Sequence, residues 1–408
     1  MKKSRVLLFN REFSKENIVH LYFLCFMFVL ISISIRYLTP LSMNVTFYLF
    51  LLLIFGVVLG LNLHDKQTVI FSFGLMALGL IIYHHTTDPL QSPDAYSYYQ
   101  QVFNYSSYKE YLEFFIQDIK ANLFAASSYT VFSFFYIPLY QIVQVPSEYL
   151  IVFLNVSFLI AVLYLARILF FGNFNVIPID QQNKVISYFI ILTFSSASLL
   201  YFSSTFYKDM LSLLLCLLTV FLFLKKRYLL FAIILFISIA LRPYAIVTSM
   251  IYFIFIRDMR KSAMFVVLIS AAYVFSQSGM VGLINSVLNI RYLLFSPNPF
   301  SIENYRMLPL QTVESLVLIT LFLLSIIVYL TIRSSRPVLR MGIMCIYIYS
   351  CVMTLVGFGV LDARSMDYVI GSAGDSFSRK KIGIIILVYF IYSYVLARIR
   401  NPKSKETK

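Results

Sequence analysis

Apolar residues along this chain come in long runs divided by short polar breaks. The runs cover residues 21–35, 45–61, 68–83, 149–171, 185–202, 210–224, 228–256, 263–277, 312–332, 341–361 and 382–397. Runs of this length with almost no charge predict membrane-spanning helices. The run 228–256 is broken only at Arg242-Pro243. Its two arms, 13 or 14 residues each, would measure roughly 20 Å at the helical rise. That is shorter than the hydrocarbon layer, so a hairpin turning inside an outward-facing cavity is expected there.

Two stretches follow a different pattern. After the third run, His84-His85-Thr86-Thr87-Asp88-Pro89 opens a polar segment over 84–128. Within it Tyr105, Tyr108, Leu112, Phe115, Ile119 and Leu123 recur at helical spacing, opposite Lys109, Glu110, Glu113, Gln117, Asp118 and Lys120. That is the pattern of an amphipathic helix at a membrane surface. A long ordered loop of this kind usually builds a site. The run 129–145 contains Pro138 and, by the parity of the other crossings, is expected to be re-entrant or interfacial. The chain then reads as one all-α membrane domain over 1–408, with twelve spans and no internal repeat.

Basic clusters set the orientation. Lys2, Lys3, Arg5, Arg11 and Lys15 precede the first run. Lys225–Arg227, Arg257–Lys261, Arg333–Arg340 and Arg398–Lys403 lie between or after later ones. The positive-inside rule puts all of them, and both termini, in the cytoplasm. Gly172–Lys184 then falls inside, and Pro146 and the Asp94 loop outside. The 408 residues are 60% hydrophobic and 12% charged, with a mean hydropathy of +0.83, which excludes a soluble globular fold of this length. The net charge of +15 is distributed as cytoplasmic loops rather than as a nucleic-acid surface, so no nucleic-acid partner is expected. MKKSR has no small-residue cleavage site after the first run, which reads as a retained helix. Cys25, Cys216, Cys345 and Cys351 lie in apolar runs without ligand spacing, as buried inert thiols. With no tryptophan, the 31 tyrosines must supply the interfacial belt.

On this topology the external face gathers Asp88, Asp94, Tyr96, Lys208, Asp209, Arg242, Arg291, Glu303, Arg306, Asp362, Arg364, Asp367 and Arg379. Charges beside the bilayer core need a reason. Lys208-Asp209 reads either as a helix-start acid with a snorkelling lysine or as a pair that binds a polar or anionic ligand. Arg242, flanked by apolar residues, needs a partner: either Asp209, or a phosphate, which a guanidinium grips through two parallel hydrogen bonds. Asp94 is either a turn acid after Pro93 or a carboxylate able to take a proton from a sugar hydroxyl. Tyr96, Tyr98 and Tyr99 are either sugar-stacking or belt residues. No Walker loop, HExxH, GxSxG or DxD motif occurs, so an enzyme here needs a lipid-borne activated donor; no metal or cofactor is expected.

An Asp-bearing first external loop with a surface helix, Lys208-Asp209 at a helix start, Arg242-Pro243 after the next basic turn, and Ser296-Pro297-Asn298-Pro299-Phe300 ahead of an Arg364-containing loop resemble the GT-C class of membrane glycosyltransferases. In order and spacing they are similar to the O-antigen and capsule repeat-unit polymerases of the Wzy type. Three spans precede the loop where the common pattern has one, which favours a polysaccharide enzyme over a protein-glycosylating one. The resemblance implies transfer of glycan from undecaprenyl diphosphate at the outer face of the bacterial inner membrane. It makes Asp94 the matching loop acid, which acts as base or as the neighbour of a metal site. For such a transfer Arg242, with Arg291 or Arg364, suits the charge developing on the diphosphate and Asp94 the hydroxyl proton, with Asp88, Tyr96, Lys208 and Asp209 as further candidates around the substrate. For a polymerase, a chain-length regulator protein is a further partner. The alternative is a lipid-linked-oligosaccharide flippase or another transporter. Those show charges within several spans, repeats or broken helices.

Overall fold

The apolar runs do form helices, and the breaks between them fall at residues that cannot continue one. A computed structural model describes residues 66–105, 107–121, 133–134, 136–137, 148–173, 179–372 and 377–400, all-helical with no strand among them. They divide into two compact units: Met1–Ser157 with Ser203–Lys208, and Phe158–Phe202 with Asp209–Lys408.

The first unit contains α1 (Lys66–Thr86), α2 (Pro93–Phe103), α3 (Tyr108–Ala121) and the start of α4 (Glu148–Asn173). The polar loop therefore holds two helices, where the periodicity predicts one. Ser92 caps α2, its hydroxyl accepting from Ala95 N at 3.0 Å, and Pro93 occupies the first turn, where its missing N–H costs nothing. The buried stripe of α3 centres on Tyr111, fully buried against Tyr105, Tyr108 and Phe115. Burial pushes the Tyr111 phenol above its usual range. Lys109 and Glu113 pair on the exposed face. Phe206 packs edge-on to Tyr98, Tyr99 and Tyr136, and its N–H donates to the Pro89 carbonyl at 3.0 Å. Asn155 ties the same segment down, donating to the Thr205 carbonyl at 2.8 Å and accepting from the Tyr136 hydroxyl at 2.7 Å.

The second unit continues along α4 and through α5 (Ile179–Phe194) and α6 (Ala197–Ser203) to α7 (Asp209–Leu224), α8 (Tyr228–Leu241) and α9 (Ala245–Ile256). The remaining helices are α10 (Arg260–Phe295), α11 (Ile302–Met307), α12 (Pro309–Thr331), α13 (Arg336–Ala363), α14 (Phe377–Lys380) and α15 (Ile382–Arg400). The centre is α15, buried along almost its whole length and packed against α5, α7, α12 and α13. Phe390 stacks on Phe170 with ring centroids 4.6 Å apart, beside Phe189 and Phe255.

Three breaks shape this unit. Residues 185–202, expected as one span, bend by 50° between α5 and α6. The hydroxyls of Thr193 and Ser195 donate to carbonyls one turn back, at 2.6 and 2.7 Å, a back-bonding that bends helices. The second break is the hairpin expected at Arg242-Pro243. Phe223 meets both Phe231 and Phe253 at one end, while Asp209 meets Arg242 at the other, so α8 and α9 run antiparallel. The basic turns after Leu224 and Ile256 share the end away from Arg242. The third break corrects an expectation. The run 263–277 does not give way to a loop; helix continues to Phe295, interrupted at Gly279 with φ +62° and ψ −153°.

The described residues do not confirm the twelve expected spans. Among the described residues six helices are long and apolar enough to cross a membrane, or seven with the bent α5–α6 pair. The expected span 210–224 and the two arms of the hairpin 228–256 are α7, α8 and α9, at 16, 14 and 12 residues too short to count with the six. The runs 21–35 and 45–61 and most of the expected re-entrant stretch 129–145 lie outside the described residues.

Candidate functional site

Asp209 opens α7, where a carboxylate opposes the positive end of the helix dipole. Its side chain is 2% exposed. Proline at 243 cannot donate, so α8 stops, and Arg242 extends from the break with its own N–H on the Ser238 carbonyl at 2.9 Å. Arg242 Nη2 donates to Asp209 Oδ1, and Nη1 to the Tyr244 hydroxyl. From α14, Arg379 Nε donates to Asp209 Oδ2 at 3.0 Å. One carboxylate thus serves two guanidiniums, one oxygen each. The Nε–H of Arg242 is buried and has no hydrogen-bond partner among the described residues. Of the two partners open to Arg242 from sequence, Asp209 is the one in contact. Arg379, from the same external set, is the third member.

A second buried group lies in the same unit, and sequence reasoning missed it. The Glu314 carboxylate on α12 accepts from Lys381 Nζ at 3.0 Å, Tyr389 Oη at 2.5 Å, Ser196 Oγ at 2.7 Å and the Ser198 hydroxyl and N–H. It holds the start of α6 just after the bend. Lys381 also donates to the Ser296 carbonyl at 2.7 Å. The backbone between the two groups is held as well, since the Tyr349 hydroxyl donates to the Lys380 carbonyl at 2.7 Å and that of Tyr252 to Gly383 at 3.0 Å. A side chain at Gly383 would meet the Tyr349 hydroxyl at 2.4 Å. Residues 379–383 are thereby fixed by two acids and two tyrosines. The signal was available: Glu314 is the one charged residue in the run 312–332, and an ionisable group within a span calls for a partner.

The other expected residues are more open. In the first unit, Asp88 is exposed and accepts from Leu90 N at 2.9 Å, a local turn. Asp94 is exposed in the first turn of α2, Tyr96 is 51% exposed, and Lys208 lies 5.6 Å from the Tyr98 ring centroid. Tyr98 is buried on Phe206 and so is not open to a sugar. In the second unit, Arg291 is exposed on the later half of α10, and Arg364 is exposed at the C-terminal cap of α13. Glu303, Arg306, Asp362 and Asp367 are likewise exposed. Asn285 fastens the loop after Arg364, donating to the Val369 carbonyl at 3.0 Å and accepting from Gly371 N at 2.8 Å.

Among the described residues no group of three or more His, Cys, Asp or Glu is arranged to hold a metal ion. Cys216, Cys345 and Cys351 are buried free thiols, and Cys25 lies outside the described residues. Comparison with protein-family models, curated proteins and solved structures finds no match to this chain.

Proposed function

We propose that this protein is a membrane glycosyltransferase of surface-polysaccharide assembly, polymerising repeat units carried on undecaprenyl diphosphate at the outer face of the bacterial inner membrane. In this reaction an acceptor hydroxyl oxygen attacks the anomeric carbon of the lipid-linked glycan. The bond from that carbon to the diphosphate oxygen breaks, the diphosphate leaves with the electron pair, and the hydroxyl proton passes to a base. The step is limited by charge gathering on the diphosphate, which preorganised cations stabilise. The observation that carries the reading is Arg242. Its side chain is only 11% exposed, shares its carboxylate with Arg379, and keeps one buried N–H without a hydrogen-bond partner among the described residues. A diphosphate oxygen is an acceptor suited to that donor. Asp209 is then a positioning residue that aims both guanidiniums. Proton acceptance by Asp94 is a separate claim with its own test below. Purified protein in detergent, given lipid-linked repeats and no gradient, is expected to lengthen them. Folded protein that leaves them unchanged argues against transfer.

One arrangement favours a second reading, transport: Ser196 and Ser198 at the break of the bent α5–α6 pair donate to Glu314 of the buried Glu314–Lys381 ion pair, and broken helices with charged groups are how many carriers build their sites. Substrate movement across proteoliposome membranes without chain extension is the result that selects it.

A further inference from the structure

A cavity of about 290 Å³ lies between α10, α12, α13 and α15, on residues that neither charged cluster uses. Its walls are apolar, with Leu294, Phe322, Ile343 and Ile391 along its length, and Tyr329 and Arg340 at one end. Ile343 is 43% exposed, so the wall it forms opens outward, and in a spanning bundle that face meets lipid. Arg340 Nε donates to the Tyr329 hydroxyl at 2.9 Å, and its guanidinium carbon sits 5.7 Å from the centre of that ring. Its two Nη groups have no hydrogen-bond partner among the described residues. Arg336, one turn earlier, is committed to the end of α12, donating to the Tyr329 and Leu330 carbonyls at 3.0 Å each. The groove therefore pairs an apolar trough with one uncommitted cation in the basic turn at Arg333–Arg340.

We propose that the groove is a binding site for an anionic diacyl phospholipid, with one acyl chain in the trough and the phosphate against Arg340. The charge decides the ligand class: an uncommitted guanidinium at the end of a hydrocarbon slot selects a lipid whose head is anionic, and basic pockets between spanning helices recognise such heads. The inference does not rest on the glycosyl-transfer reading. Its test is native mass spectrometry of the full chain in detergent, after equilibration with equal phosphatidylglycerol and phosphatidylcholine. One phosphatidylglycerol is expected to stay bound through delipidation, while phosphatidylcholine is lost. Arg340→Gln is expected to weaken retention about fivefold, the effect of one cation at a lipid surface. Ile343→Trp, which fills the trough from its open wall, is expected to abolish it, with both variants eluting as folded protein. Equal retention of the two lipids overturns the proposal, as does unchanged phosphatidylglycerol binding in Arg340→Gln. Preferential retention of polyprenyl phosphate over phosphatidylglycerol also overturns it. Should Ile343→Trp fail to fold, the lipid preference and Arg340→Gln decide the matter.

Discussion

Asp209 and Glu314 are both buried acids, yet they are satisfied differently. Glu314 is enclosed by one lysine, two serines and a tyrosine, an ion pair whose hydrogen bonds are filled. Glu314→Gln leaves the Lys381 ammonium buried without its counter-charge, and removing one member of a buried pair costs about 3–5 kcal/mol. Thermal unfolding in detergent should register that loss, and adding Lys381→Met should recover part of it. Asp209, divided between two guanidiniums, leaves Arg242 with an unused donor, so changes there should act on activity. Arg242→Lys keeps the charge but loses the planar fork. It is expected to insert and fold yet transfer poorly. Variants that are unstable, and rescued by exchanging the charges of 209 and 242, show a structural pair instead. Asp94→Asn bears on the base: the amide keeps the size and cannot take a proton, so a normally folded protein should lose about 10²–10⁴-fold in rate. Arg242 was legible from sequence because its neighbours are all apolar. Lys381 was obscured because it abuts a run, where a charge passes for a boundary, whereas Glu314, the one charge inside its run, carried a readable signal.

Helices were legible wherever burial follows from composition, and their ends where proline or a polar pair stops them. The hairpin at Arg242-Pro243 is the best case. The bend at Ser195-Ser196 was not legible, because it depends on hydroxyls competing for backbone carbonyls and on a carboxylate from α12. Continuation of α10 past Gln277 was missed because Gly279 breaks the helix for one residue without ending it. At φ +62° and ψ −153° the backbone occupies a region open essentially to glycine alone, although a Cβ there meets no other atom. Gly279→Ala should therefore cost on the order of 1–3 kcal/mol through the backbone alone, read as a lowered melting temperature. An unchanged melting temperature shows that the two halves of α10 tolerate a straight join.

At the scale of the whole molecule, composition gave the all-helical class and helices long and apolar enough to cross a membrane but not their number, because a count by apolar runs does not distinguish a full span from α7, α8 or α9. Their short lengths follow from the tight basic turn after Leu224 and the break at Arg242-Pro243. The positive-inside rule predicts the orientation: single cysteines at exposed Arg364 and at Lys225 should label from opposite sides, the first in intact cells and the second only after permeabilisation. The claim that matters most is glycosyl transfer, and surface-glycan chain length reads it most directly. Cells lacking this protein should carry single repeats with no longer multiples. Wild-type protein should restore the ladder, and a normally inserted Arg242→Lys should not. A deletion strain whose chain lengths and repeat composition match the parent contradicts the account.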